Sequence, residues 1–141
     1  MRLRLPIIGA AALYLVGLLL VGLWPTHVDR NLDMVNRPPT TWLIDIFDLD
    51  PAQGYRIGEF SANILLFIPL GALALALLPR LGWLRVTALA GLFSVVIEVT
   101  QTIARPERTG SVADIVANTA GAAIGAIVVV LVLGRVGQHR R

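Results

Sequence analysis

The chain contains no cysteine and no lysine, and it has only two histidines. Without thiols it has no disulfide framework, thiolate nucleophile, iron–sulfur cluster or zinc–thiolate site. His27 and His139 are isolated from one another, and the carboxylates that an imidazole metal site needs do not stand at a suitable spacing, so we predict no metal and no cofactor. Charged residues make up 15% of the chain, against about 25% in a typical soluble domain. The chain is too apolar to be a soluble globular protein.

The chain contains long hydrophobic runs with few charged residues. Hydrophobic residues make up 56% of the chain, and the mean hydropathy is +0.75. Four apolar runs cover residues 7–24, 60–78, 83–103 and 112–133. Each is about 18 to 22 residues long, which is enough for an α-helix rising about 1.5 Å per residue to cross a bilayer core. The sequence predicts an all-α membrane protein, with residues 1–141 forming a single domain built as a four-transmembrane-helix bundle.

The arginines predict how this bundle is oriented. Seven of the twelve lie before the first run, at the tight connection between the second and third runs (Arg80 and Arg85), or after the fourth run, and no acid accompanies them. The opposite side, residues 25–59 and 104–111, carries five arginines and seven acids. The positive-inside rule therefore predicts that both termini are cytoplasmic and that residues 25–59 form a long first extracytoplasmic loop. Although the pI is near 10.6, the arginines mark helix ends and form no basic stripe with interleaved aromatics, so we exclude nucleic acid as a partner.

The first run and the loop after it each allow two interpretations. The run ends at Trp24 and Pro25, and no small-residue cleavage site follows it, so we interpret it as an uncleaved signal anchor rather than a signal peptide. Loops as long as 25–59 are often functional. Within it, an apolar set can form one face of a short helix lying on the membrane surface, or else belong to an irregular lid: Trp42, Leu43, Ile46 and Phe47.

Polar residues inside the predicted helices are the main candidates for function, because a charged side chain within a bilayer costs about 2.5–3.5 kcal/mol on insertion scales. Those of three different helices fall in the outer third of the membrane, and the arginines that follow the third helix extend the set. The candidate site residues are Asn63, Glu98, Gln101, Arg105, Arg108, Asp114 and Asn118. Two interpretations stay open, an outward-opening binding site and a hydrogen-bonded structural cluster.

The start of the fourth helix has a structural explanation beside the functional one. Ser111 and Asp114 stand at the spacing of a capping box, in which side chains satisfy the first free amides of a helix. Gly121 and Gly125 continue the face of Asn118, and small residues four apart let helices approach closely. They also offer a surface on which a second copy of the chain can form a homo-oligomer.

Taken in order, these residues resemble the VanZ-like family of bacterial membrane proteins. The resemblance spans residues 60–125 and rests on three motifs on consecutive helices: Asn63-x-x-x-Phe67-x-Pro69-Leu70-Gly71, then Glu98-x-x-Gln101, then Arg108, Asp114, Asn118 and Gly121. It implies a multi-pass protein of the bacterial cytoplasmic membrane with a cell-envelope role, in a family named after a protein associated with glycopeptide antibiotic resistance. Family members often carry carboxylates at the positions of Ser111 and Ala113, whereas this chain keeps only Asp114, which argues against a divalent metal site.

Three functions compete at this stage. The leading hypothesis is that the candidate residues bind a polar group of an envelope lipid, a lipid-linked precursor or a glycopeptide antibiotic at the outer leaflet. The alternative is an intramembrane hydrolase or transferase in which Glu98 and Asp114 act as acid and base; whether the chain is an enzyme stays uncertain, with binding favoured. A proton or solute pathway ranks third, because we expect no polar residue to extend the site from Glu98 toward the cytoplasm.

Overall fold

The protein is described from a computed structural model that covers residues 4–22, 38, 40–104 and 111–138. Five α-helices follow one another: α1 (Arg4–Gly22), α2 (Thr40–Phe47), α3 (Pro51–Leu77), α4 (Gly82–Ala104) and α5 (Val112–Gln138), with a 3₁₀ turn at Pro79–Leu81 before α4. Within these ranges there is no strand. Four helical stretches are long and apolar enough to cross a membrane, namely Leu5–Gly22, Pro51–Leu77, Pro79–Ala104 and Val112–Val132. The prediction of an all-helical, multi-pass membrane-type protein is confirmed.

Helix α3 begins nine residues earlier than the apolar pattern predicted, at Pro51 rather than residue 60. Its start is determined by the cap and not by hydropathy. The Asp50 side chain accepts a hydrogen bond from the Gln53 amide at 2.8 Å, and the Gln53 side chain accepts one from the Asp50 amide at 3.1 Å. This reciprocal capping box, with proline at the first helical position, starts the helix among polar residues. Much of the predicted loop 25–59 is therefore helical.

Of the two interpretations of the apolar set in that loop, a short helix or an irregular lid, the structure has the helix, α2, which packs against α3. Ile44 lies so close to Gly54 that a β-carbon there would come within 2.5 Å of Ile44 Cγ1. The intervening turn contains Asp48 at φ 50, a left-handed conformation that aspartate tolerates better than most residues. The Leu49 amide then donates to the Ile44 carbonyl at 3.1 Å.

The bundle is held together by an unusually close contact between α3 and α5. A β-carbon on Gly121 would lie 2.2 Å from the Ile64 carbonyl oxygen, and one on Gly125 would lie 1.9 Å from the Ile68 carbonyl oxygen. Since both residue numbers rise together along this contact, the two helices run in the same direction. Gly121 and Gly125 are thus used inside the chain, and a homo-oligomer, which stays a prediction, would need another surface.

Helices α1 and α4 complete the core. A buried cluster joins Leu18 of α1, Phe67 of α3, Ile97 and Ala90 of α4 and Ala122 of α5. The Tyr14 hydroxyl of α1 donates a hydrogen bond to the Leu66 carbonyl of α3. Outside this core, most large apolar side chains of the spanning helices are exposed, as expected of surfaces that face lipid.

Candidate functional site

One face of α4 carries all the polar side chains that this helix buries. Ser94, Glu98 and Gln101 recur at spacings of four and three, so they lie on a single stripe, with Ile97 beside them. The neighbouring Val95, Val96 and Val99 are exposed. The amphipathic pattern is therefore inverted relative to a soluble helix, with the polar stripe inside the bundle and the apolar residues outside.

The Glu98 carboxylate meets the first turn of α5. Its Oε2 atom accepts a hydrogen bond from the Ser111 backbone amide at 2.9 Å, while the Ser111 hydroxyl accepts one from the Asp114 amide at 3.2 Å. In an ordinary capping box the acid three residues into the helix takes the N-cap amide. Here the acid that accepts the N-cap amide is Glu98, which belongs to the neighbouring helix α4. The partly positive amino end of α5 favours both nearby carboxylates, those of Glu98 and Asp114.

A second contact lies deeper between the same two helices. The Asn118 Nδ2 atom donates a hydrogen bond to the Ser94 hydroxyl at 2.8 Å, and Ser94 is completely buried. Because Ser94 precedes Glu98 by one helical turn, this contact lies about 6 Å closer to the amino end of α4 than the carboxylate does. Residue numbers fall along α5 as they rise along α4, so the two helices are antiparallel.

Gln101 connects this face to the end of α1. Its Nε2 atom donates a hydrogen bond to the Gly22 carbonyl. The last carbonyls of a helix have no partner within the helix, so a side-chain donor from a neighbouring helix satisfies one of them. The carboxyl ends of α1 and α4 and the amino end of α5 therefore meet at one end of the bundle.

Among the described residues, three buried side-chain oxygens have no hydrogen-bond partner, namely the Thr87 hydroxyl earlier on α4 and two amide oxygens on this face. The two amide oxygens can only accept a hydrogen bond. They are Gln101 Oε1 and Asn118 Oδ1, each on a residue that is only 5% exposed. A buried polar atom left unpaired costs about 1–3 kcal/mol. Each therefore marks a position where a hydrogen-bond donor would be favourable.

A sequence model of the VanZ/LLP1 family matches residues 11–133, which is most of the chain. The chain belongs to the VanZ/LLP1 family. No curated protein and no solved structure matches it significantly. Membership confirms the resemblance drawn from the sequence motifs, and it assigns a family without assigning a reaction or a ligand.

Some residues of the VanZ motifs and of the candidate site are buried in helix contacts, others are only partly buried, and two arginines lie outside the described residues. Phe67 and Gly71 of the first motif are buried in helix contacts, Gly71 against the Ala122 backbone. Asn63 is only partly buried and makes no hydrogen bond within the described ranges, so it is not joined to the polar face of α4 and α5. Arg105 and Arg108 lie outside the described residues. Glu98 and Asp114 have further interactions beyond those given above.

Three groups of this polar face were not among the candidate residues predicted from the sequence. Ser94 was overlooked because a single serine is common in membrane helices, yet its place one turn before Glu98 on the same stripe was a readable signal. Ser111 was expected to cap α5, and its role as the partner of Glu98 was not foreseen. The Gly22 carbonyl has no sequence signal, since any residue supplies a carbonyl. In the described ranges, no cluster of three or more histidine, aspartate or glutamate residues could hold a metal ion.

Proposed function

We propose that this VanZ-family membrane protein binds a polar group of an envelope lipid, a lipid-linked precursor or a glycopeptide at the face where α4 and α5 meet. The observation that carries the proposal is the pair of buried acceptor oxygens of Gln101 and Asn118, which have no partner among the described residues and lie beside the carboxylates of Glu98 and Asp114. Such atoms are rare in folded proteins because each one destabilises the unbound state.

The chemistry of this face supports one class of ligand. Free carbonyl-type oxygens accept hydrogen bonds, so the complementary group is a donor such as an amide, a hydroxyl or an ammonium. Gln101 and Glu98 are one turn apart, and Asn118 lies about one turn deeper, so a ligand that reaches both free oxygens must extend about 10 Å along the helices. A polar headgroup with more than one donor has this form. Arginines that follow α4 in the sequence would add affinity for phosphate or carboxylate.

Binding is supported better than catalysis. The alternative of a hydrolase or transferase gives Glu98 and Asp114 the roles of acid and base. However, Glu98 Oε2 already accepts a hydrogen bond from the Ser111 amide. A serine nucleophile beside these carboxylates would need a hydrogen bond to a base. The hydroxyls of Ser94 and Ser111 each accept a hydrogen bond from an amide nitrogen instead, which cannot act as a base. Membership of the VanZ/LLP1 family does not add support for a hydrolase.

The test compares the lipids that co-purify with near-isosteric variants. Gln101→Met and Asn118→Leu remove the free acceptors while keeping similar volume, and mass spectrometry identifies the lipids retained after purification. We expect a species enriched with the wild type to fall about tenfold in each variant, since one hydrogen bond in a buried site contributes roughly 1.4 kcal/mol.

The matched control is Thr100→Val. Thr100 is exposed on α4 at the same depth, and its hydroxyl donates within its own helix to the Val96 carbonyl at 2.7 Å. This variant should retain the wild-type lipid profile. Identical profiles for all four proteins, at equal melting temperature, would overturn the proposed binding site.

A further inference from the structure

The outer surface of α2 exposes large apolar side chains that no other part of the described chain covers. Trp42 is 61% exposed, Ile46 73% and Phe47 64%. At about 100° per residue these three lie on one side of the helix, whereas Thr41 lies on the opposite side. The side that packs on α3 lies between Phe47 and Thr41 around the helix, because it contains the buried Thr40 and the half-buried Ile44.

The position of α2 along α3 defines its depth relative to a bilayer. Helix α3 has 27 residues and is about 40 Å long, against about 30 Å for a hydrocarbon core. Its apolar stretch starts at Phe60 and is interrupted only by Ser61 and Asn63, while the preceding turns carry Arg56 and Glu59. Helix α2 contacts α3 at Gly54, six residues before Phe60, and at Gly58, two residues before it.

These contacts place α2 about 3–9 Å beyond the hydrocarbon boundary at Phe60, taking about 1.5 Å per residue. The headgroup region on each side of a bilayer is about 5–8 Å thick. Helix α2 is therefore at the level of the lipid headgroups, and its exposed face continues the lipid-facing surface of the spanning helices.

We infer that α2 is an interfacial helix whose Trp42, Ile46 and Phe47 face inserts into the lipid headgroup layer. Tryptophan is favoured at this depth because its ring is apolar and its N–H is polar. Residues 40–59 carry four acids, Asp45, Asp48, Asp50 and Glu59, and one base, Arg56, so the segment has a net charge of −3. The partner is therefore a zwitterionic lipid surface, and anionic lipid should not strengthen the insertion.

The experiment uses the full-length protein in phosphatidylcholine vesicles with Trp24→Phe and Trp83→Phe, which leaves Trp42 as the single tryptophan. Brominated lipids quench a tryptophan that lies among them, and acrylamide quenches one that lies in water. We expect strong quenching of Trp42 by lipids brominated near the headgroup end of the acyl chain and weak quenching by acrylamide. Adding phosphatidylglycerol or salt should leave the lipid quenching unchanged.

The matched control moves the tryptophan to the opposite side of α2, with Trp42→Phe and Thr41→Trp in the same background. Its acrylamide quenching should exceed its lipid quenching. Quenching of Trp42 by acrylamide alone would overturn the inference. So would protection from both quenchers that disappears when each vesicle holds a single copy, because a second copy would then be what covers this face.

Discussion

At the residue scale, the central group is the Glu98 carboxylate, which has both a structural and a proposed ligand-binding role. It accepts the N-cap amide of α5, and it stands between the two unpartnered acceptors of Gln101 and Asn118 along the same face. The structural role needs only an acceptor oxygen, whereas recognition of a charged or strongly donating group needs the negative charge. Substitutions can separate these two requirements.

Glu98→Gln should impair ligand retention more than folding. Glutamine keeps an oxygen that accepts the Ser111 amide, so this contact loses only the charge–dipole contribution at the start of α5, about 0.3–1 kcal/mol. Glu98→Leu removes the acceptor as well and should cost about 1–3 kcal/mol. The measurements are the melting temperature in detergent and the co-purifying lipids. Equal lipid retention in wild type and Glu98→Gln, at equal expression, would leave Glu98 with the structural role alone.

At the element scale, the contact between α3 and α5 depends on the absence of side chains. Where Gly121 and Gly125 face the carbonyls of Ile64 and Ile68, even a methyl group would contact rigid backbone. Without a hydrophobic driving force in lipid, helices associate through close packing, and glycine allows backbones to approach. The polar face of α4 and α5 is held in position by this contact, since α5 belongs to both.

Gly121→Ala should therefore destabilise the bundle by about 1–3 kcal/mol or more, because overpacking displaces the two backbones. Gly121→Leu should lower both stability and function. Gly9→Ala on α1 is the control, since nothing lies within 4 Å of the position its β-carbon would occupy. Thermal melting in detergent should show a large decrease for the first variant and no decrease for the control. Similar melting of Gly121→Ala and wild type would contradict this packing.

The start of α3 gives a second prediction at this scale. Asp50→Ala removes the side chain that accepts the Gln53 amide and should cost about 1 kcal/mol. Asp50→Asn keeps an acceptor and should cost less. The loss should appear as faster hydrogen exchange at the amides of residues 52–54, without loss of the spanning part of α3. Unchanged exchange in Asp50→Ala would show that packing of α2 alone determines where α3 begins.

At the scale of the whole molecule, four spanning stretches bring the amino ends of α3 and α5 to one end of the bundle, together with the carboxyl ends of α1 and α4. The polar face and the interfacial helix α2 lie at that end. The arginine distribution predicts that this end is extracytoplasmic. A site there would meet envelope lipids or antibiotics before they cross the membrane.

Fusion of alkaline phosphatase tests this orientation, because the enzyme is active only outside the cytoplasm. A fusion after Asp50 should be active, and a fusion after Arg141 should be inactive. Fusions to green fluorescent protein at the same two positions serve as the control and should show the opposite pattern. The reverse result in both series would invert the predicted topology.

Much of the fold was readable from local sequence. The four spans follow from apolar runs, since an α-helix in lipid satisfies its backbone internally whatever its neighbours are. The early start of α3 was readable too, because Asp50, Pro51 and Gln53 carry a capping box, but the apolar pattern was given more weight. The stripe of Ser94, Glu98 and Gln101 follows from helical spacing alone, although Ser94 was left out of it.

The sequence by itself thus determined which long segments are helices, how many are apolar enough to cross a membrane and which residues share a face, because these properties depend on contacts within a few residues. The tertiary structure decided the partners. It brought Glu98 to the Ser111 amide, Gln101 to the Gly22 carbonyl and Asn118 to Ser94, and it used Gly121 to pack α5 on α3. Such pairings depend on how far each helix is rotated and shifted against its neighbours, and this is a property of the packed bundle that no single segment encodes.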